Sequence, residues 1–183
     1  MLTYKHPKAK TCEVCERVFV PDRMGQLVCR PACAMARVRQ AKKAERESTR
    51  KRKEAIKSRA EWAREAQTAF NAWVRARDDG LPCISCGRHH QGQWHAGHYL
   101  STGARPELRY TESNVHRQCA PCNTHLSGNA VLYRIGLVNR IGLDAVEWLE
   151  GPHPLPKWTA EDYKAIRDTY RAKLKEIHKG EPC

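Results

Sequence analysis

Eight of the nine cysteines fall into four close pairs: Cys12/Cys15, Cys29/Cys33, Cys83/Cys86 and Cys119/Cys122. The stretch 1–12 has no apolar signal core, so the expected compartment is reducing and the pairs read as metal ligands rather than disulfides. The first four cysteines follow the pattern Cys-x2-Cys-x13-Cys-x3-Cys, and the second four are two Cys-x-x-Cys knuckles 32 residues apart. Four thiolates complete a tetrahedral zinc shell with no open position, so each set predicts a structural zinc, two per chain. Redox dithiols are the alternative for the first set. Cys183 reads as incidental.

Closed cysteine sites need no histidine. His95 and His98, in the stretch Trp94-His-Ala-Gly-His-Tyr99, are therefore left free inside a loop pinned at both ends. A neutral imidazole is a competent general base near pH 7. Residues 92–101 and 111–119 predict the two strands of a hairpin, with a helix starting near Cys119 and His98 facing Asn123. That is a strand pair and a helix clamped by zinc.

The order His98, Asn114, then Asn123 directly after Cys122 resembles the HNH, or His-Me-finger, nuclease motif. The knuckles resemble the zinc-stapled branch that includes the phage Holliday-junction resolvase endonuclease VII. The "AGHY" and "CAPCNTHLSG" blocks, with the N-terminal "CEVC…CRPAC" finger and the basic helix, resemble the lambdoid phage NinG (Rap) recombination nucleases over most of the chain. The resemblance implies His98 as general base, Asn123 as ligand of a catalytic Mg²⁺ or Mn²⁺, and Asn114 as the residue that fixes the hairpin and orients His98. It also implies hydrolysis of DNA phosphodiesters, at branched recombination intermediates such as Holliday junctions and D-loops, to 5′-phosphate and 3′-hydroxyl ends.

One position departs from the motif. Many HNH proteins carry an acidic metal ligand directly before the base histidine, and Gly97 stands there. His95 is the candidate replacement, a donor better suited to Mn²⁺ than to Mg²⁺; His125 is a lesser one. His95 and His98 are three apart, so both reach one metal only if the strand bends or bulges. His89 and His90 read as solvated, and His116 as facing solvent or phosphate. Arg105, Arg109 and Arg117 are candidate phosphate contacts, with ordinary surface charge as the alternative. Trp94 and Tyr99 read as core.

The elements that must position these groups divide the chain into four stretches: a zinc finger at 1–33, a long basic helix at 34–78, an HNH-like core at 79–150, and a Pro-rich connector with a final helix at 151–183. In the finger, the apolar stretches flanking "PDRMG" predict a β-hairpin. Residues 34–78 contain no Gly or Pro and are rich in good helix formers. Trp62, Ala66, Ala69, Phe70, Trp73 and Val74 form a stripe at helical spacing, able to dock within the chain or between chains. Residues 126–150 predict one or two short helices broken at Gly136 or Gly142, and 159–178 a helix capped by Thr159. The fold class expected is α+β, mostly helical.

The net charge is +13, and +11 of it lies in the first 64 residues. Between 34 and 64, twelve Lys and Arg face four acids. Arg37, Arg39, Lys42, Lys43, Arg46, Arg50, Lys51, Arg52 and Lys53 are the candidate non-specific DNA contacts, against the bland alternative of a solvated helix. With 29% charged residues and a mean hydropathy of −0.74, no segment approaches a membrane span. The expectation is a phage-encoded endonuclease of the host cytoplasm, a homodimer acting on branched DNA. The rival readings are a non-catalytic double-zinc nucleic-acid-binding protein and, more weakly, a zinc-scaffolded interaction adaptor.

Overall fold

The computed structural model describes residues 8–180; Cys183 and the first seven residues of the expected finger lie outside them. The chain divides into two compact units, Met1–Lys57 and Ser58–Cys183. It is a mostly helical α+β protein. The expected single helix over 34–78 is two helices, α1 (Pro31–Ala55) and α2 (Arg59–Arg77). The break has a local cause. The Ser58 hydroxyl accepts from the Glu61 N–H and the Glu61 carboxylate accepts from the Ser58 N–H, a capping box that starts a new helix.

In the first unit, the strands β1 (Lys10–Thr11) and β2 (Val18–Phe19) pair antiparallel. The hairpin expected across "PDRMG" therefore does not form. The first knuckle makes the turn instead, with Cys12 N–H on the Arg17 carbonyl and Glu16 in the left-handed region at φ 59. Only Cys33 of α1 is buried, and Arg37 pairs with Glu13 of the knuckle at 2.8 Å. The rest of α1 is a solvated helix with no apolar face to cover.

The second unit is built on α2 and the last helix, α5 (Ala160–Gly180). The whole stripe Trp62, Ala66, Ala69, Phe70, Trp73 and Val74 is buried, against Tyr163 and Tyr170 of α5 and against Tyr110 and Val115. Phe70 meets Tyr170 edge-on at 4.7 Å and Tyr110 at 5.6 Å, geometry that aromatic pairs favour. The stripe thus docks within the chain. Contacts advance together along both helices, from Arg59 with Trp158 through Glu65 with Arg167 to Trp73 with Tyr170, so α2 and α5 run parallel.

Against this pair lies a two-stranded sheet, β3 (Trp94–His98) and β4 (Val115–Cys119), paired antiparallel from Trp94↔Cys119 to His98↔Val115. A single π-helical turn follows at Pro121–His125, then α3 (Ala130–Ile141) and α4 (Leu143–Glu150). Of the two glycines offered as the break, Gly142 is the one used, at φ 86. Tyr133, Leu137, Val146 and Leu149 of these helices pack with Ile84 and Leu108 in a second core. Thr159 caps α5, accepting from the Asp162 N–H at 3.1 Å.

Candidate active site and metal centres

The two cysteine sets each converge, with all four sulfur atoms of a set within 4.8 Å of one another. Zinc–sulfur bonds of 2.3 Å in a tetrahedron put sulfurs roughly 3.8 Å apart. Cys29–Cys33 and Cys86–Cys119 both stand at 3.9 Å. The two sets share a further detail: the N–H of the third cysteine donates to the first sulfur, Cys29 to Cys12 and Cys119 to Cys83, at 3.4 Å each. Burial pushes the Cys12 thiol up, but N–H groups of Cys15, Val14 and Cys29 outweigh it and bring Cys12 down to about 6. Cys83 is lowered against burial in the same way. Both clusters are able to hold a metal, and four thiolates suit zinc. His90 lies beside Cys86 Sγ at 3.3 Å, so it is not solvated as its sequence context suggested.

Strand alternation sorts the hairpin side chains. Trp94, Ala96 and His98 share one face with Val115 and Arg117, toward α2. His95 and Gly97 share the other with His116 and Gln118. The ladder is unbroken over five residues, so the bulge that would bring His95 and His98 together is absent. The residue that meets Asn123 is consequently His95, not His98: the Asn123 amide nitrogen is 2.8 Å from His95 Nδ1. His98 Nε2–H instead donates to the Arg109 carbonyl at 3.0 Å. A carbonyl can only accept, so this bond assigns the proton to Nε2 and leaves Nδ1 as the lone-pair nitrogen. Burial lowers the His98 pKa, the Arg109 carbonyl opposes that, and the Arg109 charge adds to it.

Asn114 is fully buried and holds the segment just after His98. Its Oδ1 accepts from Leu100 N–H at 2.9 Å, and its amide group donates to the carbonyls of Leu100 and Leu108 at 3.0 and 3.2 Å. Its own carbonyl accepts from Tyr99 N–H at 2.8 Å. Arg109, whose carbonyl holds His98, is itself fixed by Nε–H donation to Gln67 of α2 at 2.7 Å.

Gln118 went unnoticed in the sequence. It is fully buried, and Nε2 donates to Ser85 Oγ at 2.7 Å, between the first knuckle's cysteines, and to the Gly128 carbonyl at 2.6 Å, beyond the second. Its Oε1 finds no donor and lies over Gly97, where an added Cβ would stand 2.1 Å away. Gly97 is thus glycine because Gln118 occupies the place of its side chain. Tyr133 of α3 was also missed; its hydroxyl donates to the Gly97 carbonyl at 2.8 Å. Alternation from Cys119 could have put Gln118 on the His95 face. Nothing near Tyr133 in sequence signals its contact.

His116 does not face solvent or phosphate. It is buried beside Tyr133, and burial, aided by the Arg77 charge, pulls it down to about 4. Arg105 is tied to Glu107 and the Gly151 carbonyl, Arg109 to Gln67, and Arg117 to Asp79 at 2.6 Å while its backbone N–H donates to Asp78. The nine basic residues from Arg37 to Lys53 are all exposed, as is His125. Trp94 packs on the second cysteine cluster and Tyr99 on the second core.

His95 and Asn123 could offer one nitrogen and one amide oxygen to a divalent ion. Asn123 turns its amide nitrogen toward His95 Nδ1 at 2.8 Å, so a metal here requires the amide to flip and present its oxygen; two neighbouring ligands at about 2.1 Å in an octahedron then stand about 3 Å apart. The donor set fits a weakly held metal whose remaining ligands come from water and phosphate. Among the described residues, no third group of three His, Cys, Asp or Glu converges. No helix among them is long and apolar enough to cross a membrane.

A family described as bacteriophage lambda NinG protein matches residues 4–181. Protein ninG of Salmonella phage P22 is 41% identical over 184 residues, covering 90% of this chain and 91% of that relative. Protein ninG of Escherichia phage lambda is 40% identical over 192 residues, covering 93% and 94%, and that of Escherichia phage 933W is 40% identical over 190 residues, with the same coverage. No solved structure matches.

Proposed function

The chain belongs to the bacteriophage NinG family, and we propose that it is a metal-dependent DNA endonuclease with His98 as general base. The observation that carries the reading is the His98–Arg109 bond: one imidazole nitrogen held by a backbone carbonyl, the other left free, and a pKa lowered by burial. A neutral, oriented base is what abstraction of a proton from water requires. The HNH-like order of His98, Asn114 and Asn123 supports the same reading.

In this mechanism His98 Nδ1 takes a proton from a water molecule as its oxygen attacks phosphorus. A new P–O bond forms, the bond to the 3′ oxygen breaks, and that oxygen leaves with a proton from solvent. The ends are a 5′ phosphate and a 3′ hydroxyl. Asn114 keeps the chain after His98 in register, and Gln67 keeps Arg109, hence the His98 ring, in place. His95 and Asn123 would hold the divalent ion, Mn²⁺ ahead of Mg²⁺ given the imidazole donor; the ion would neutralise charge developing on the phosphate and leaving oxygen. β3 has a strand on one side only, and the mechanism requires a phosphate bound along its other edge to meet side chains from both faces.

The basic face of α1 would add sequence-independent phosphate contacts that weaken steeply with salt. The resemblance to endonuclease VII supports branched DNA as substrate, and cutting two strands of a junction supports a homodimer. The test is cleavage of a four-way junction and a matched duplex with Mn²⁺ or Mg²⁺, wild type beside His98→Ala. Loss of the base should cost about 10²–10⁴-fold. Equal cutting by the variant refutes the assignment of His98. Binding without cutting under either metal leaves the double-zinc binding protein instead.

A further inference from the structure

A groove of about 390 Å³ lies on the α2 side of the hairpin, at the Trp94 end of β3. Apolar lining comes from Ala72 and Ala76 of α2 and Leu174 of α5; Trp94 and Arg117 supply stacked planar groups, Arg75 and His178 basic ones, and Asp79 a single carboxylate. The size is near the lower end of small-ligand sites, roughly 300–1,000 Å³, room for one nucleotide unit. His98 is four residues further along the same strand, roughly 13 Å at 3.3 Å per residue.

The charges at the groove are not equivalent. Arg117 is committed: it stacks on the Trp94 ring at 4.1 Å and pairs with Asp79 at 2.6 Å, so these two charges cancel. Arg75, half-buried at the groove, has no hydrogen-bond or ion-pair partner among the described residues, and neither has His178. The site therefore combines a flat stack and apolar lining with an unneutralised guanidinium. That pairing suits a ligand that is planar and apolar at one end and anionic at the other. An isolated phosphate would leave the stack and lining unused, and an acidic peptide would leave the planar stack unused.

We propose that this groove binds one nucleotide of a DNA strand, with its base against the Trp94–Arg117 stack and its phosphate at Arg75, His178 assisting. This rests on the reading of DNA as the substrate and adds a second holding point, a few nucleotides from the scissile phosphate. Stacking on aromatic and guanidinium planes tolerates any base and requires it unpaired. The groove thus selects strands that have left the duplex, as at a branch.

The probe is a single-stranded oligothymidylate carrying one 5-iododeoxyuridine, irradiated with the full-length zinc-loaded protein without added Mg²⁺ or Mn²⁺, and the adducts mapped by mass spectrometry. The expected result is an adduct at Trp94. Arg75→Glu should lower its yield about fivefold or more, an effect of the size of one lost stacking or charge contact, with zinc content unchanged. Arg75→Lys should restore most of it. No adduct at Trp94, an Arg75→Glu yield equal to wild type, or displacement by polyglutamate at lower concentration than by unlabelled oligothymidylate overturns the proposal. Because the assay needs no cleavage, an adduct in a protein that never cuts refutes the nuclease reading and leaves the groove intact. Cutting without the adduct does the reverse.

Discussion

Replacing Gly97 with alanine puts a methyl group where Gln118 already sits. The new Cβ would be 2.1 Å from Gln118 Oε1 and 3.0 Å from its Cβ and Cδ. Gln118 can retreat only by giving up its bonds to Ser85 and Gly128, both inside the zinc-clamped region. Staying in place costs about 1–3 kcal/mol of overpacking; swinging away leaves a buried amide unsatisfied at about 1–3 kcal/mol. The expected loss is about 2 kcal/mol, which lowers a urea midpoint by about 1 M. The assay is equilibrium unfolding at fixed free zinc, because metal bound only by the native state shifts the midpoint. Gly92→Ala is the control: nothing lies within 4 Å of its added Cβ, so its effect should stay within about 0.5 kcal/mol. Against a Gln118→Ala background, Gly97→Ala should cost much less, a coupling of about 1 kcal/mol or more. Equal midpoints for Gly97→Ala and Gly92→Ala would refute the packing argument, and strict additivity would move the cause away from Gln118.

Asn114→Ala removes three side-chain bonds to buried backbone groups; a loss of about 2–4 kcal/mol is expected in thermal unfolding, with faster amide exchange across 100–108 than elsewhere in the second unit. His116 is buried neutral, with its pKa moved from 6.5 to about 4. The unfolded chain takes up that proton first, so stability is complete above pH 6.5 and falls as pH drops toward 4. The term is about 2 kcal/mol at pH 5. His116→Asn should flatten that part of the urea-midpoint profile between pH 7 and 5, and an unchanged slope would show that His116 does not carry it.

Local rules were readable directly. Cysteine spacing identified both metal-competent clusters, because four thiolates at such intervals have few other uses. Helical periodicity located the stripe of α2, and cap chemistry placed the start of α5 at Thr159. What failed depended on competition between local and distant partners. The apolar stretches around "PDRMG" favoured their own turn, but the Cys12–Cys15 knuckle turns earlier and delivers Val18–Phe19 to Lys10–Thr11. Helix propensity ran through Ile56–Lys57, where the Ser58–Glu61 box restarts the helix. The candidate site was half legible. Its residue types and order were visible, yet the partner of Asn123 follows from strand parity, which selects His95. Gln118 meets Ser85 across 33 residues and Tyr133 meets Gly97 across 36; strand alternation gives the face of Gln118 but not its partners, and Tyr133 has no local signature.

The pairing of α2 with α5 also sets a timetable for biosynthesis. Glu65 and Arg167, which join the two helices, are 102 residues apart. At about 5–20 residues per second, α2 leaves the ribosome roughly 5–20 seconds before its cover is made. During that interval Trp62, Phe70 and Trp73 lack their main apolar neighbour, and the late closure of so distant a contact slows folding further. A nascent chain stalled before α5 would carry an uncovered aromatic helix directly behind a strongly basic one, and transiently exposed apolar surface of that kind is prone to aggregate. For this protein, a lesion in the last twenty residues would show itself first as aggregation during synthesis.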